Sequence, residues 1–171
     1  MKKKGLIFYY IILLMICQCL GVSALRTMAV TEAQGEAIVE HCDAIKEDLR
    51  KVQKEDSRVR VYLGRYYEII LTKFIVPLNV RLVENSLSSA GLVENQNKIA
   101  GAKTTFADDF VNYQKGLEEL VGMDCRENSE EFYDKLKVVR QKRKTMTQDV
   151  LKMRSLISEH VRLVEGLKGK V

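Results

Sequence analysis

The chain is predicted to be all-α: an elongated antiparallel bundle of three long helices, or four if the first divides, with coiled-coil-like heptad packing. Three observations predict it. The 171 residues include one proline, Pro77, and no tryptophan. From residue 31 onward, apolar side chains return at alternating spacings of four and three, the mark of a helix buried along one stripe and, when sustained, of a left-handed supercoil. Polar clusters containing glycine divide this pattern into long runs joined by short connections, which make sequence neighbours antiparallel.

The first segment precedes the bundle. Lys2, Lys3 and Lys4 lead into the apolar run "GLIFYYIILLMIC", which ends in Val22-Ser23-Ala24. A positive start, an apolar centre and a small-x-small end are the parts of a secretory signal peptide, so residues 1–24 are expected to be removed after Ala24. The alternative is an uncleaved anchor, because residues 5–25 carry no charge until Arg26 and approach bilayer-spanning length. Gln18, Gly21 and Ser23 shorten the strongly apolar part and favour cleavage. Cys17 and Cys19 then belong to the discarded segment, and the remaining residues 25–171 form a single helical domain.

The first helix is expected over about 31–88. Thr31 and Gln34 have capping-box spacing, and the stripe runs Ile38, Cys42, Ile45, Leu49, Val52, Asp56, Val59, Leu63, Tyr66, Ile70. Asp56 alone interrupts it, and Asp56-Ser57 offers an alternative helix start. Pro77 removes a backbone donor and clashes with the carbonyl of Lys73, which predicts a kink. The helix should end in "NSLSSAG", with Gly91 in a left-handed terminal conformation. A second helix, about 92–121, carries Ile99, Lys103, Phe106, Phe110, Tyr113, Leu117 and Leu120. A third, about 129–168, starts with Asn128 as cap and carries Phe132, Leu136, Val139, Arg143, Met146, Val150, Met153, Ile157, His160, Val164 and Leu167.

An exported chain keeps Cys42 and Cys125 where disulfides persist, so an intramolecular bridge is expected. Folding about Ser89 sets residue 125 level with Gln53, eleven residues from Cys42 in the sequence, or about 16 Å of helical rise. Closing that gap calls for a non-helical 122–127 segment stretched along the first helix. The competing reading is a buried Cys42 and a loop thiol at Cys125.

No catalytic or metal constellation emerges, and no cofactor is implied. His41, Cys42 and Asp43 are consecutive, so on a helix they point about 100 degrees apart. His160 occupies an apolar seam and is expected as a hydrogen-bonded core residue. The pairs Asp108-Asp109, Glu118-Glu119 and Glu130-Glu131 lack the Glu-x-x-His partners of a di-iron bundle, and "GLKGK" lacks the strand context of a phosphate loop. An enzyme is therefore not expected.

Charge is more informative. Without residues 1–24 the net charge falls from +5 to +2, so the high isoelectric point is largely the export segment and specific nucleic-acid binding is not expected. Residues 25–134 hold 14 basic and 20 acidic side chains, and residues 135–171 hold 11 and 3. The basic surface candidates are Lys135, Lys137, Arg140, Lys142, Arg143 and Lys144. They either complement the acidic first helix or meet an anionic lipid surface or envelope polymer. The aromatic stretch 58–82, with Tyr62, Tyr66 and Tyr67, is core or a partner-binding patch. The expected function is an exported, non-enzymatic structural or protein-interaction protein of a bacterial envelope or the extracellular space, acting on another protein or on itself. The alternatives are an anionic-component binder and, by similarity of layout to helical periplasmic holdase chaperones, a chaperone.

Overall fold

A computed structural model describes residues 31–87 and 90–167 of the chain. The export segment, cleavage after Ala24 and the anchor alternative lie outside the described residues. Among the described residues no helix is long and apolar enough to cross a membrane.

These residues form an all-helical bundle. Helix α1 spans Glu32–Glu40 and α2 spans Cys42–Ile69; a π-helical stretch, Ile70–Ile75, leads into α3, Val76–Glu84. Helix α4 spans Ala90–Gly122 and α5 spans Ser129–Glu165. The expected single first helix is thus divided at His41, whose φ of −105° and ψ of 16° leave the helical region. It is not divided at Asp56, which lies inside α2.

The proline acts one turn upstream of its own position. Without an N–H, Pro77 leaves Lys73 short of its usual donor, and Val76 donates instead to the carbonyl of Leu71, five residues back. Such i→i−5 bonding widens the turn, and Pro77 then sits in the first turn of α3, where its missing donor costs little.

Helices α4 and α5, of 33 and 37 residues, are each about 50–55 Å long and pack against each other along their length. Their facing stripes are the ones expected in most positions, but Ala102 is buried in place of Lys103, and Arg143 is exposed. Phe106, Phe110, Tyr113, Leu117 and Leu120 of α4 are buried with Phe132, Val139, Met146 and Met153 of α5. Each large side chain taken out of water in this way contributes about 1.5–3 kcal/mol. Helix α1 packs on α5, whereas α2 and α3 pack on α4.

The stripe of the first helix departs from expectation. Val59 and Tyr66 are exposed, and Tyr67, Leu71, Ile75 and Asn79 are buried instead. An untwisted helix of 3.6 residues per turn drifts about 20° per heptad against a 3.5 repeat, so after four heptads the inward position has moved on by one residue. The wider π turn extends the four-residue spacing.

Both connections differ from expectation in their caps. Gly91 lies within α4, and the left-handed residue is Ser86, with φ 57°. Leu87 donates back to the carbonyl of Leu82 at 2.8 Å and Ser86 to that of Val83 at 3.0 Å, which satisfies the end of α3. Asn128 stands at the N-cap of α5, but its side chain makes no capping bond. The preceding turn is held by Asp124, whose Oδ1 accepts from the backbone N–H of Arg126 at 2.8 Å.

Candidate functional site

Cys42 and Cys125 are joined as a disulfide with Cα atoms 5.7 Å apart, both fully buried. The segment expected at 122–127 is non-helical from residue 123 on, but it is not stretched. Met123 still donates to the carbonyl of Glu119, and Asn128 to that of Asp124, so the chain turns compactly there. Register closes the gap instead: Glu68 pairs with Lys103 and Asp56 with Tyr113, seven and nine residues short of the partners that a fold about Ser89 gives. Two polar links flank the bridge. Lys46 donates to the carbonyl of Met123 at 3.1 Å, and Arg126 pairs with Asp43.

Between α2 and α5 the bundle opens. Both helices pack with α4, yet no Cα of one comes within 8 Å of a Cα of the other. The resulting groove has a volume of about 850 Å³ and a floor that includes Leu63, Phe106, Phe110 and Val150. One ion pair crosses it: Arg143 Nε and Nη2 donate to the two carboxylate oxygens of Asp56 at 2.8 and 2.9 Å. Tyr113, wholly buried, donates its hydroxyl to the same carboxylate at 2.7 Å. Burial and the neighbouring Asp56 push the Tyr113 phenol up well beyond its usual range, and the hydrogen bonds that Arg143 donates to Asp56 raise the guanidinium pKa further. Asp56 and Arg143, the charged members of their stripes, are therefore partners.

The remaining basic candidates divide by what they touch. Lys135 pairs with Glu131 at 3.4 Å and Lys137 with Asp134 at 2.7 Å, both within α5. Lys142 donates to the carbonyl of Asn112 at 3.1 Å across the α4–α5 contact. Arg140 and Lys144 have no ion pair or hydrogen bond among the described residues, and both line the groove. On the opposite wall Arg60 lies over the Phe110 ring, 5.1 Å from its centroid. Charge complement between the acidic first helix and α5 is made by Asp56 and Arg143, whereas in the acidic "EHCDAIKEDL" stretch Glu47 and Asp48 pair within α2, with Arg50 and Lys51, and Asp43 pairs with Arg126.

Next to the groove, α2 carries an apolar stripe turned to solvent. Val59, Tyr62, Tyr66, Ile69 and, within the π-helical stretch, Phe74 recur at intervals of three to five residues, with Tyr62 and Phe74 69% and 64% exposed. The Tyr62 and Tyr66 rings stack with centroids 6.4 Å apart.

Buried polar groups collect at two further places. His160 is buried with Nδ1 3.2 Å from Asn95 Oδ1, and burial lowers its pKa. Asn79, two turns past Leu71, donates to Gln96 Oε1 at 2.8 Å. Asp149, on α5, is buried beside Asp109 of α4; burial and then that neighbour raise its pKa. His41 is exposed. Among the described residues, no three His, Cys, Asp or Glu side chains gather as metal ligands do.

Comparisons with protein-family models, with curated proteins and with solved structures find no match for this chain.

Proposed function

We propose that this chain is an exported, non-enzymatic helical protein that presents a rigid surface to another polypeptide. The carrying observation is the solvent-facing stripe Val59, Tyr62, Tyr66, Ile69, Phe74, since a row of exposed aromatic and branched side chains on an ordered helix is costly unless something covers it. Tyrosine is favoured at such surfaces because it offers a large apolar area with little rotamer freedom to lose. Export is supported by the three-part N-terminal pattern and by the buried Cys42–Cys125 bridge, which requires an oxidising compartment to persist. A non-enzymatic role is supported by what the buried titratable groups do: His160 bonds Asn95, Tyr113 bonds Asp56, and Asp149 adjoins Asp109, each across a helix contact. The 4-3 spacing of α4 and α5, interrupted at Lys103 and Arg143, supports coiled-coil-like packing of that pair.

The test is capture of partners from the exported fraction of the source cells, at low and high salt, with the unaltered protein and with a Tyr62→Glu/Tyr66→Glu variant. A specific partner retained at high salt and lost by the variant is the expected result. Equal capture by both proteins would sink the proposal. The second reading, adhesion to an anionic envelope surface, is supported by the unpaired Arg140 and Lys144 and predicts retention that salt abolishes.

A further inference from the structure

We infer that the groove between α2 and α5 is a binding site for a single-chain anionic amphiphile, a hydrocarbon chain ending in a carboxylate or phosphate. This goes beyond the proposed protein-interaction role and uses an adjoining surface that shares Val59 with the stripe. Four observations carry it. The groove exists because α2 and α5 diverge, and its volume of about 850 Å³ falls within the ~300–1,000 Å³ typical of small-molecule sites. Its floor is apolar and comes from three helices, so it is part of the bundle rather than a loop surface.

Its charge is one-sided as well. Arg60, Arg140, Arg143 and Lys144 line it against a single acid, Asp56, whose carboxylate is already taken up by Arg143 and Tyr113. Arg140 and Lys144, one helical turn apart, are left with their charge unanswered among the described residues. Finally, the groove is polarised along its length. Helices α2 and α5 both run antiparallel to α4, so Asp56 and Arg140 to Lys144 mark one end and Leu63, Val150 and Leu151 the other. From Arg140 to Leu151 is about 16 Å of helical rise, room for a chain of medium length with its head at the cationic end. The Asp56–Arg143–Tyr113 network fixes that end in place before any ligand arrives, which reduces the ordering cost of binding. A neutral amphiphile would leave the two cations unanswered; a small inorganic anion would leave the apolar floor wet.

Titration calorimetry on the purified protein tests this, with laurate and dodecyl phosphate below their micelle concentrations, dodecyl maltoside as the neutral probe, and phosphatidylglycerol vesicles. Both anionic monomers are expected to bind with one-to-one stoichiometry, and the maltoside at least about tenfold more weakly, the scale of a lost charge-assisted contact. Arg140→Glu/Lys144→Glu should weaken laurate by about tenfold or more, whereas Lys115→Glu/Lys135→Glu, with the same change in net charge on other faces, should not. Circular dichroism confirms that each variant is folded, since all four positions are on the helix surface. Absence of laurate binding, equal binding of the maltoside, equal loss in both double variants, or binding to vesicles alone would each overturn the site. The Tyr62→Glu/Tyr66→Glu variant should retain laurate binding, which separates this result from failure of the protein-interaction proposal.

Discussion

Asp56 shows how one side chain can interrupt an apolar stripe and still hold the bundle together. Its carboxylate accepts from a fully buried phenol and from a guanidinium on the opposite wall of the groove. Tyr113→Phe removes one buried hydrogen bond and should lower stability by about 1 kcal/mol. Asp56→Ala also strands the Tyr113 hydroxyl and should cost about 2 kcal/mol or more. Urea midpoints measure both, and a smaller loss for Asp56→Ala than for Tyr113→Phe would contradict the network. Asp149 behaves oppositely. Its pKa is raised in the folded state, chiefly by burial and then by Asp109, so the folded chain holds this proton to higher pH than the unfolded chain does. Stability is therefore lost as pH rises from the unfolded value, near 3.8, through the raised one. Asp149→Asn should remove that loss, leaving the variant about 1 kcal/mol more stable at neutral pH and no more stable at pH below about 4. These roles were partly legible in the sequence, because Asp56 and Arg143 were the charges on their stripes. That they meet each other depends on register.

At the scale of the element, helix ends were less legible than helix interiors. The buried faces of α4 and α5 follow from spacing alone because each packs along its full length. Terminal geometry depends instead on which of several polar residues takes the odd conformation, and the candidates Ser86, Ser88, Ser89 and Gly91 lie close together. Ser86 takes it, with φ 57°, a region that disfavours a residue bearing a Cβ. Ser86→Gly should therefore stabilise the protein by about 0.5–1 kcal/mol, read as a raised thermal midpoint. In contrast, Gly101, inside α4 with open space where a Cβ would stand, should gain about 0.5–1 kcal/mol on replacement by alanine. Gly116 should gain less, because its Cβ would stand 3.2 Å from Val139 Cγ2. The π stretch before Pro77 was foreseen only as a disturbance, since a missing donor can be accommodated by a bend or by a wider turn.

On the scale of the whole molecule, the Cys42–Cys125 bridge ties the junction of α1 and α2 to the turn between α4 and α5, closing a span of 83 residues. In the chain-entropy account a loop of that size stabilises by about 4–5 kcal/mol. Replacing both cysteines by alanine should lower stability by about 3–5 kcal/mol, measured by denaturant midpoint. The intact mass of the protein, alkylated with and without prior reduction, should show Cys42 and Cys125 protected until reductant is added. Because both sulfurs are buried, reduction should be slow in the folded state and quicken in denaturant.

Sequence alone determined the helical class, most of the inward stripes of α4 and α5 and the basic character of α5, because each depends on local spacing or on composition. Tertiary structure decided where the first helix stops following its heptads, which residue closes α3, how far the hairpin slides, and which basic side chains are left unpaired. Those outcomes turn on relative axial position: a shift of seven to nine residues brings Asp56 to Tyr113 and Arg143, and Cys42 to Cys125. A periodic stripe offers nearly the same burial at every heptad of slide, so only the packed whole selects one.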